Sequence, residues 1–120
     1  MRVKVLGVES PLTVSDFDTP STPGNHFVGV RVALTNVGDV TYDDSPSNGA
    51  AIIGRGDEQG NFAFVTEGPC AGQFASAANI SPGSRRQGCI PFEVPKGRLK
   101  TFQFSLDSGF GPDSGEWSLR

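Results

Sequence analysis

Apolar residues recur at every second position along most of this chain, and a period of two predicts strands rather than helices. The clearest case is "HFVGVRVALTNVGD", where Val28, Val30, Val32 and Leu34 fall on one face and Gly29, Arg31, Ala33 and Thr35 on the other. "RVKVLGV" sets Val3 and Val5 against Arg2 and Lys4, and "NFAFVTE" carries Phe62 and Phe64 in alternation. "TFQFSLD" alternates Phe102, Phe104 and Leu106 with Thr101, Gln103 and Ser105, and "GEWSLR" opposes Trp117 and Leu119 to Glu116 and Ser118. In "ISPGSRRQGCIPFEVPKG", Pro82-Gly83 marks a turn and Ile90, Phe92 and Val94 share a face. Pro91 and Pro95 cannot donate to a ladder, so they confine that strand to an edge or end it early. "EGPCAGQFASAAN" reads as a polar loop of small residues, and no stretch predicts a helix longer than a turn. The expectation is an all-β, antiparallel sandwich of about seven to nine short strands, with residues 1–120 forming one domain.

"NGAAIIGRGDEQGNFAFV" predicts a hairpin: a strand through Ile52 and Ile53, a loop around Asp57, Glu58, Gln59 and Gly60, and a return strand. Its loop includes Arg55-Gly56-Asp57, a tripeptide known as a cell-adhesion signal. Asp and Gly between two apolar runs are also ordinary turn chemistry, with Gly supplying any positive φ cheaply. These boundaries leave the tripeptide at the mouth of the hairpin, whereas adhesion requires an exposed tip with Arg55 and Asp57 splayed apart.

Composition narrows the possibilities further. The 16 Gly and 9 Pro imply many turns, and nine Phe supply enough apolar surface to offset the entropy of ordering the chain. A net charge of -3, with "SRRQ" (Arg85, Arg86) as the densest basic point, leaves no footprint for a phosphate backbone or an anionic membrane. No apolar run is long enough to span a bilayer. The start, "MRVKVLGVESP", is too short and too interrupted to be a signal peptide and reads as a strand; an exported protein would begin this way once its leader had been removed.

The ordered set of a Val-rich first strand, "HFVGVRVALTNVGD", a hairpin with acidic and Gly turn residues, and "ISPGSRRQGCIPFEVPKG" resembles a bacterial extracytoplasmic domain of unknown function. That domain is related to the mycobacterial secreted immunogenic antigen and has an immunoglobulin-like or telokin-like sandwich fold. The most specific motifs are Asn36-Val37-Gly38-Asp39 and the pattern Pro82-Gly83, Gly88, Phe92-Glu93-Val94-Pro95. Both motifs are structural, so the resemblance implies an exported or lipid-anchored envelope protein with no enzymatic activity to carry over. Pro91 within the strand and the Ala- and Gly-rich loop at 68–79 depart from the pattern. The hallmarks of an antibody domain are missing, because Cys70 and Cys89 are close in sequence and Trp117 follows both.

Two Cys without CxxC spacing and one His do not make a structural zinc site. We read Cys70 and Cys89 as a disulfide that pins the 68–79 loop across the outside of the sheet; the alternative is two free thiols in a cytosolic protein. His26 heads the best strand without a nucleophile setting beside it. The acidic pairs Asp16 and Asp18, Asp43 and Asp44, and Asp57 and Glu58 could converge at one end of a sandwich on calcium, but surface turns carry such residues anyway. Phe17, Phe74 and Phe110 fall in loops; Phe74 is the candidate interface anchor, with folding back as a lid over the sandwich end as its alternative. The expected function is a non-enzymatic extracytoplasmic binding module, monomeric or weakly dimeric, using Phe74 or Arg55, Gly56 and Asp57. It would need neither metal nor cofactor, and its unknown partner would be a protein or envelope component. The alternatives are a purely structural spacer of an envelope lipoprotein and an adhesion module.

Overall fold

The computed structural model of the 120-residue chain describes residues 1–63, 65–71, 74, 78–95, 97–106 and 114–119. Among these, the strands are β1 (Arg2–Glu9), β2 (His26–Thr35), β3 (Tyr42–Asp44), β4 (Ala50–Gly54), β5 (Gln59–Phe62), β6 (Ala78–Ile80), β7 (Arg85–Val94), β8 (Leu99–Ser105) and β9 (Ser114–Ser118). A 3-10 turn, Pro46–Gly49, precedes β4. Seven strands join in the order β1-β2-β7-β5-β4-β8-β9, every pair antiparallel, and β3 and β6 form a separate two-stranded sheet.

The seven-stranded sheet folds over on itself at β5. Gln59 and Gly60 pair with β4, whereas Asn61 and Phe62 pair with β7, so this short strand changes neighbours halfway along. A strand that switches partners in this way makes the corner of a sandwich. Gly60 permits the corner: a Cβ there would stand 2.5 Å from both Ile52 Cγ2 of β4 and Val94 Cγ1 of β7.

The core lies between the two layers. Val28, Val30, Val32 and Leu34 of β2 and Ile90, Phe92 and Val94 of β7 face Ile52, Phe102, Phe104 and Leu119 across it. Phe92 meets Phe102 edge to face at 6.3 Å, and Trp117 of β9 lies against Phe102 at 5.8 Å. Burying each large apolar side chain contributes roughly 1.5–3 kcal/mol. A bulge between Val5 and Gly7 rephases β1, so Val3, Val5 and Val8 all pack on this core. Leu106, placed by the alternation beside Phe102 and Phe104, instead lies just past the end of β8 and is exposed. Phe64 lies outside the described residues; β5 ends at Phe62.

The segment read as a polar loop ends in β6, whose Ala78 and Ile80 are buried opposite β3. Strands only three residues long leave too little alternation to detect. Pro91 also departs from expectation, because β7 lies inside the sheet rather than at its edge. Within a strand, N–H and C=O of one residue point the same way. The Pro91 carbonyl accepts from Ala63 N–H at 3.0 Å, past the last β5 pairing at Phe62, so the missing donor faces the side where the regular ladder has already ended.

The outer face of β2 and β7 is covered as well, which alternation alone did not indicate. Phe27 and Cys89 join Leu12, Ala63, Val65 and Cys70 in a second apolar cluster around the Cys70–Cys89 disulfide. Gly29 makes room for it: a Cβ there would overlap the Cys70 sulfur and stand 2.8 Å from that of Cys89. Two carboxylates clamp the long β1–β2 connection over this face. Glu93 accepts from Ser21 N–H at 2.7 Å, Thr22 N–H at 3.1 Å, Asn25 Nδ2 at 2.8 Å and the Ser21 hydroxyl at 3.0 Å. Desolvation pushes the Glu93 carboxyl up, but these donors together outweigh it and hold it below its usual 4.5. Asp18 accepts from Thr66 N–H at 2.8 Å, and that bond keeps its carboxyl below the usual 3.8 against desolvation.

Asn36, in the "TNVGD" motif, closes the far end of β2. Its Nδ2 donates to the carbonyls of Val40 at 2.8 Å and Ile80 at 2.9 Å, and its Oδ1 accepts from Gly38 N–H at 3.0 Å. Its backbone pairs with Ser84 and Gly83, which ties the Pro82-Gly83 turn to the motif.

Candidate binding site

The sequence-predicted site residues separate in space. Phe74 is 8% exposed; its ring lies on Gly88 at the core side of β7, and its carbonyl accepts from the Ser47 hydroxyl at 2.8 Å. It adopts a φ of 53°, held by that contact and by burial. The candidate interface anchor is therefore buried, and Cys70, Phe74 and Ala78 all turn inward. Phe17 is the loop aromatic that stands free, at 93% exposed, and Phe110 lies outside the described residues. His26 is half-buried opposite Val94 on β7.

Arg55-Gly56-Asp57 occupies the exposed tip of the β4–β5 hairpin, not its mouth. The Gly54 carbonyl accepts from Asp57 N–H at 3.0 Å and Gly54 N–H donates to Glu58 at 2.8 Å. The turn's left-handed position is Asp57, at a φ of 63°, rather than Gly56; Asp tolerates that region because its short side chain bonds locally. The Asp57 carboxylate here reaches across to β8, where it forms an ion pair of 2.9 Å with Lys100 Nζ, and both side chains are more than half exposed. The acidic pairs stay apart, with Asp18 bonded to Thr66, Asp57 to Lys100, and Asp43 and Asp44 on β3.

The hairpin tip borders a cleft of about 960 Å³ lined by Val8 and Ser10 from β1 and its end, Arg98, Leu99 and Lys100 from the start of β8, Ser118 and Leu119 from the end of β9, and Arg55. A bulge between Ile53 and Gly54 brings Arg55 to this rim, where its N–H donates to the Arg98 carbonyl at 2.8 Å. Three cationic residues thus line one concave surface. Lys100 is paired with Asp57; among the described residues, neither guanidinium has a carboxylate within salt-bridge distance. Sequence reading passed over Arg98 and Lys100, although "KGRLK" carries a visible basic doublet around Leu99. Their meeting with Arg55 depends on strand register.

At the opposite end of the strands a smaller cleft of about 410 Å³ is lined by Asn36, Asp39, Tyr42, Asp43, Asp44 and Leu106 among others. Burial, with the nearby Asp44 charge second, pushes the Tyr42 hydroxyl well above its usual 10.0. Val40 beside it is 76% exposed. Among the described residues no three metal-ligating side chains come together, and no helix is long and apolar enough to cross a membrane.

These features define a disulfide-bonded, all-β module with a cationic cleft. Residues 1–114 match the model of a domain of unknown function, DUF4352, and the chain belongs to that family. The match is to this domain family and stops short of the mycobacterial secreted antigen. In fold the chain is similar to a Bacillus subtilis protein whose crystal structure is described as that of a "putative lipoprotein (ycdA)". The two share 19% identity and a TM-score of 0.72 over 98% of this chain, which spans 35% of that protein's length. No curated protein matches the chain.

Proposed function

We propose that the chain is a non-enzymatic extracytoplasmic binding module, secreted or anchored to the outer face of the cell membrane, that holds an anionic partner in the cleft between the ends of β1 and β9. One observation carries this reading: Arg55 and Arg98 converge on a concave surface without carboxylate partners among the described residues. Unpaired guanidinium groups in a concavity are suited to two-pronged recognition of carboxylate or phosphate. The disulfide supports the location, because such bonds persist in oxidising compartments, and so does the fold likeness to a lipoprotein. The immunoglobulin-like relationship belongs to the same proposal.

The test is retention of envelope-extract components by the immobilised oxidised chain beside its Arg55→Glu, Arg98→Glu double variant. A component held by the first and lost by the second supports the reading. Equal retention by both, or none by either, sinks it in favour of a structural spacer.

A second reading draws on the exposed hairpin tip, the position that adhesion through Arg55-Gly56-Asp57 requires. A receptor would first have to release Asp57 from Lys100, at a cost of about 1 kcal/mol or less for so exposed a pair. Asp57→Glu keeps the charge and disturbs the adhesive geometry, so unchanged binding to integrin-bearing cells would end this reading.

A further inference from the structure

The cleft lies where the folded sheet fails to close. β1 and β9 are the two edges of the seven-stranded order, and among the described residues neither has a second neighbour. Because all six pairings are antiparallel, the first and seventh strands run in the same direction, and their C-terminal ends both line the cleft. Direct closure would require a parallel pair. One additional strand running the other way would meet both edges with antiparallel ladders.

Among the described residues, backbone groups are available for it. Leu119 N–H donates to the Lys100 carbonyl at 2.8 Å, so by the alternation of an antiparallel ladder Ser118 and Glu116 turn their N–H and C=O away from β8. On β1, the bulge at Val5/Gly7 blunts the N-terminal half and leaves Gly7–Glu9 as the usable stretch. Val8, Leu99 and Leu119 supply apolar lining, and the cations stand at one end, beside the C-terminal ends of both edges.

We infer that the occupant of this cleft is an extended peptide segment of a partner protein, added as a strand between β9 and β1, with acidic residues at its N-terminal end. The direction follows from the ladders: a segment antiparallel to both edges begins where they end, beside Arg55 and Arg98. Main-chain bonds would provide binding and the guanidinium groups its polarity, as in other strand-addition complexes. The inference rests on the cleft assigned under Proposed function but is narrower than it, since a flexible polyanion would satisfy the charges without using either edge.

The experiment is an amide-resonance titration of the full isotope-labelled chain with four probes. They are an acetylated, amidated heptapeptide Asp-Glu-Thr-Val-Thr-Val-Thr; its reversed sequence, with the acids at the C-terminal end; the first peptide with its central Val replaced by Pro; and inorganic polyphosphate. The first peptide should shift the amides of Val8, Glu116 and Ser118. It should bind at least about tenfold more tightly than the reversed and Pro-bearing peptides, and weaken about tenfold or more in the Arg55→Glu, Arg98→Glu variant, whose remaining spectrum reports its fold. Equal binding of forward and reversed peptides, or polyphosphate binding as tightly with shifts confined to Arg55, Arg98 and Lys100, would overturn strand addition while leaving an anion-binding cleft. No binding by any peptide also overturns it. The extract-retention experiment then decides the broader reading independently.

Discussion

The outer face of β2 and β7 and the seam between β1 and β9 meet the same problem, exposed sheet surface, in opposite ways. On the outer face the chain covers itself: the β1–β2 connection and residues Ala63, Val65 and Ala71 pack around a disulfide, with Glu93 and Asp18 as clamps. At the seam nothing among the described residues covers the edges, and the nearby cations stay exposed. Polar and disulfide contacts in the first region therefore serve stability, whereas the cations of the second add little to it. That difference is why we place function at the seam.

The strongest way to break the comparison is to remove the disulfide. Cys70→Ser with Cys89→Ser should lower unfolding free energy by about 3 kcal/mol, read as a denaturant midpoint at constant slope; an unchanged midpoint would mean that the outer cluster is held without it. Gly29→Val comes next, at about 1–3 kcal/mol, since the new side chain would occupy the space of both sulfurs. In the Cys-free background that cost should shrink, and a double-mutant cycle measures the coupling. Glu93→Gln should cost at most about 1 kcal/mol, because the site is near the surface, and should speed amide exchange at 19–25 before any global change.

The pH dependence has a definite sign. Glu93 and Asp18 have folded-state values below their unfolded ones, so their stabilisation is present above pH 4.5 and is lost as pH falls through the depressed range. Tyr42 runs the other way: its contribution is intact below pH 10.0 and declines as pH rises further. Acid should thus loosen the outer face first and alkali the β3 end, as amide exchange would report. The smallest effect belongs to the seam. Arg55→Ala with Arg98→Ala should change stability by less than about 0.5 kcal/mol, and a larger loss would make these residues structural after all.

Most of the fold was legible in the chain because period-two alternation records which face of a strand is buried. Val28 to Leu34, Ile90 to Val94 and Phe102 with Phe104 all lie where the pattern puts them. The disulfide was legible too, as two Cys with no metal-site spacing. Phe74 was ambiguous, since a loop aromatic can point either way and only the bare surface at Gly88 decides it. β3 and β6 escaped notice because three-residue strands carry too few positions for a period, and Pro91 misled because its rule concerns which side the missing N–H faces.

By itself, the sequence determined local matters: strand faces and the pairing of the two Cys. Tertiary structure decided everything that depends on register and closure. Arg55 and Arg98 are 43 positions apart in sequence and meet through one bulge in the β4–β8 ladder. Whether a sheet closes depends on how many strands it has and where it bends, and that is a property of the assembled ladder rather than of any strand in it. Alternation specifies which side of a strand meets the core, but it carries no record of which neighbour lies beyond the edge.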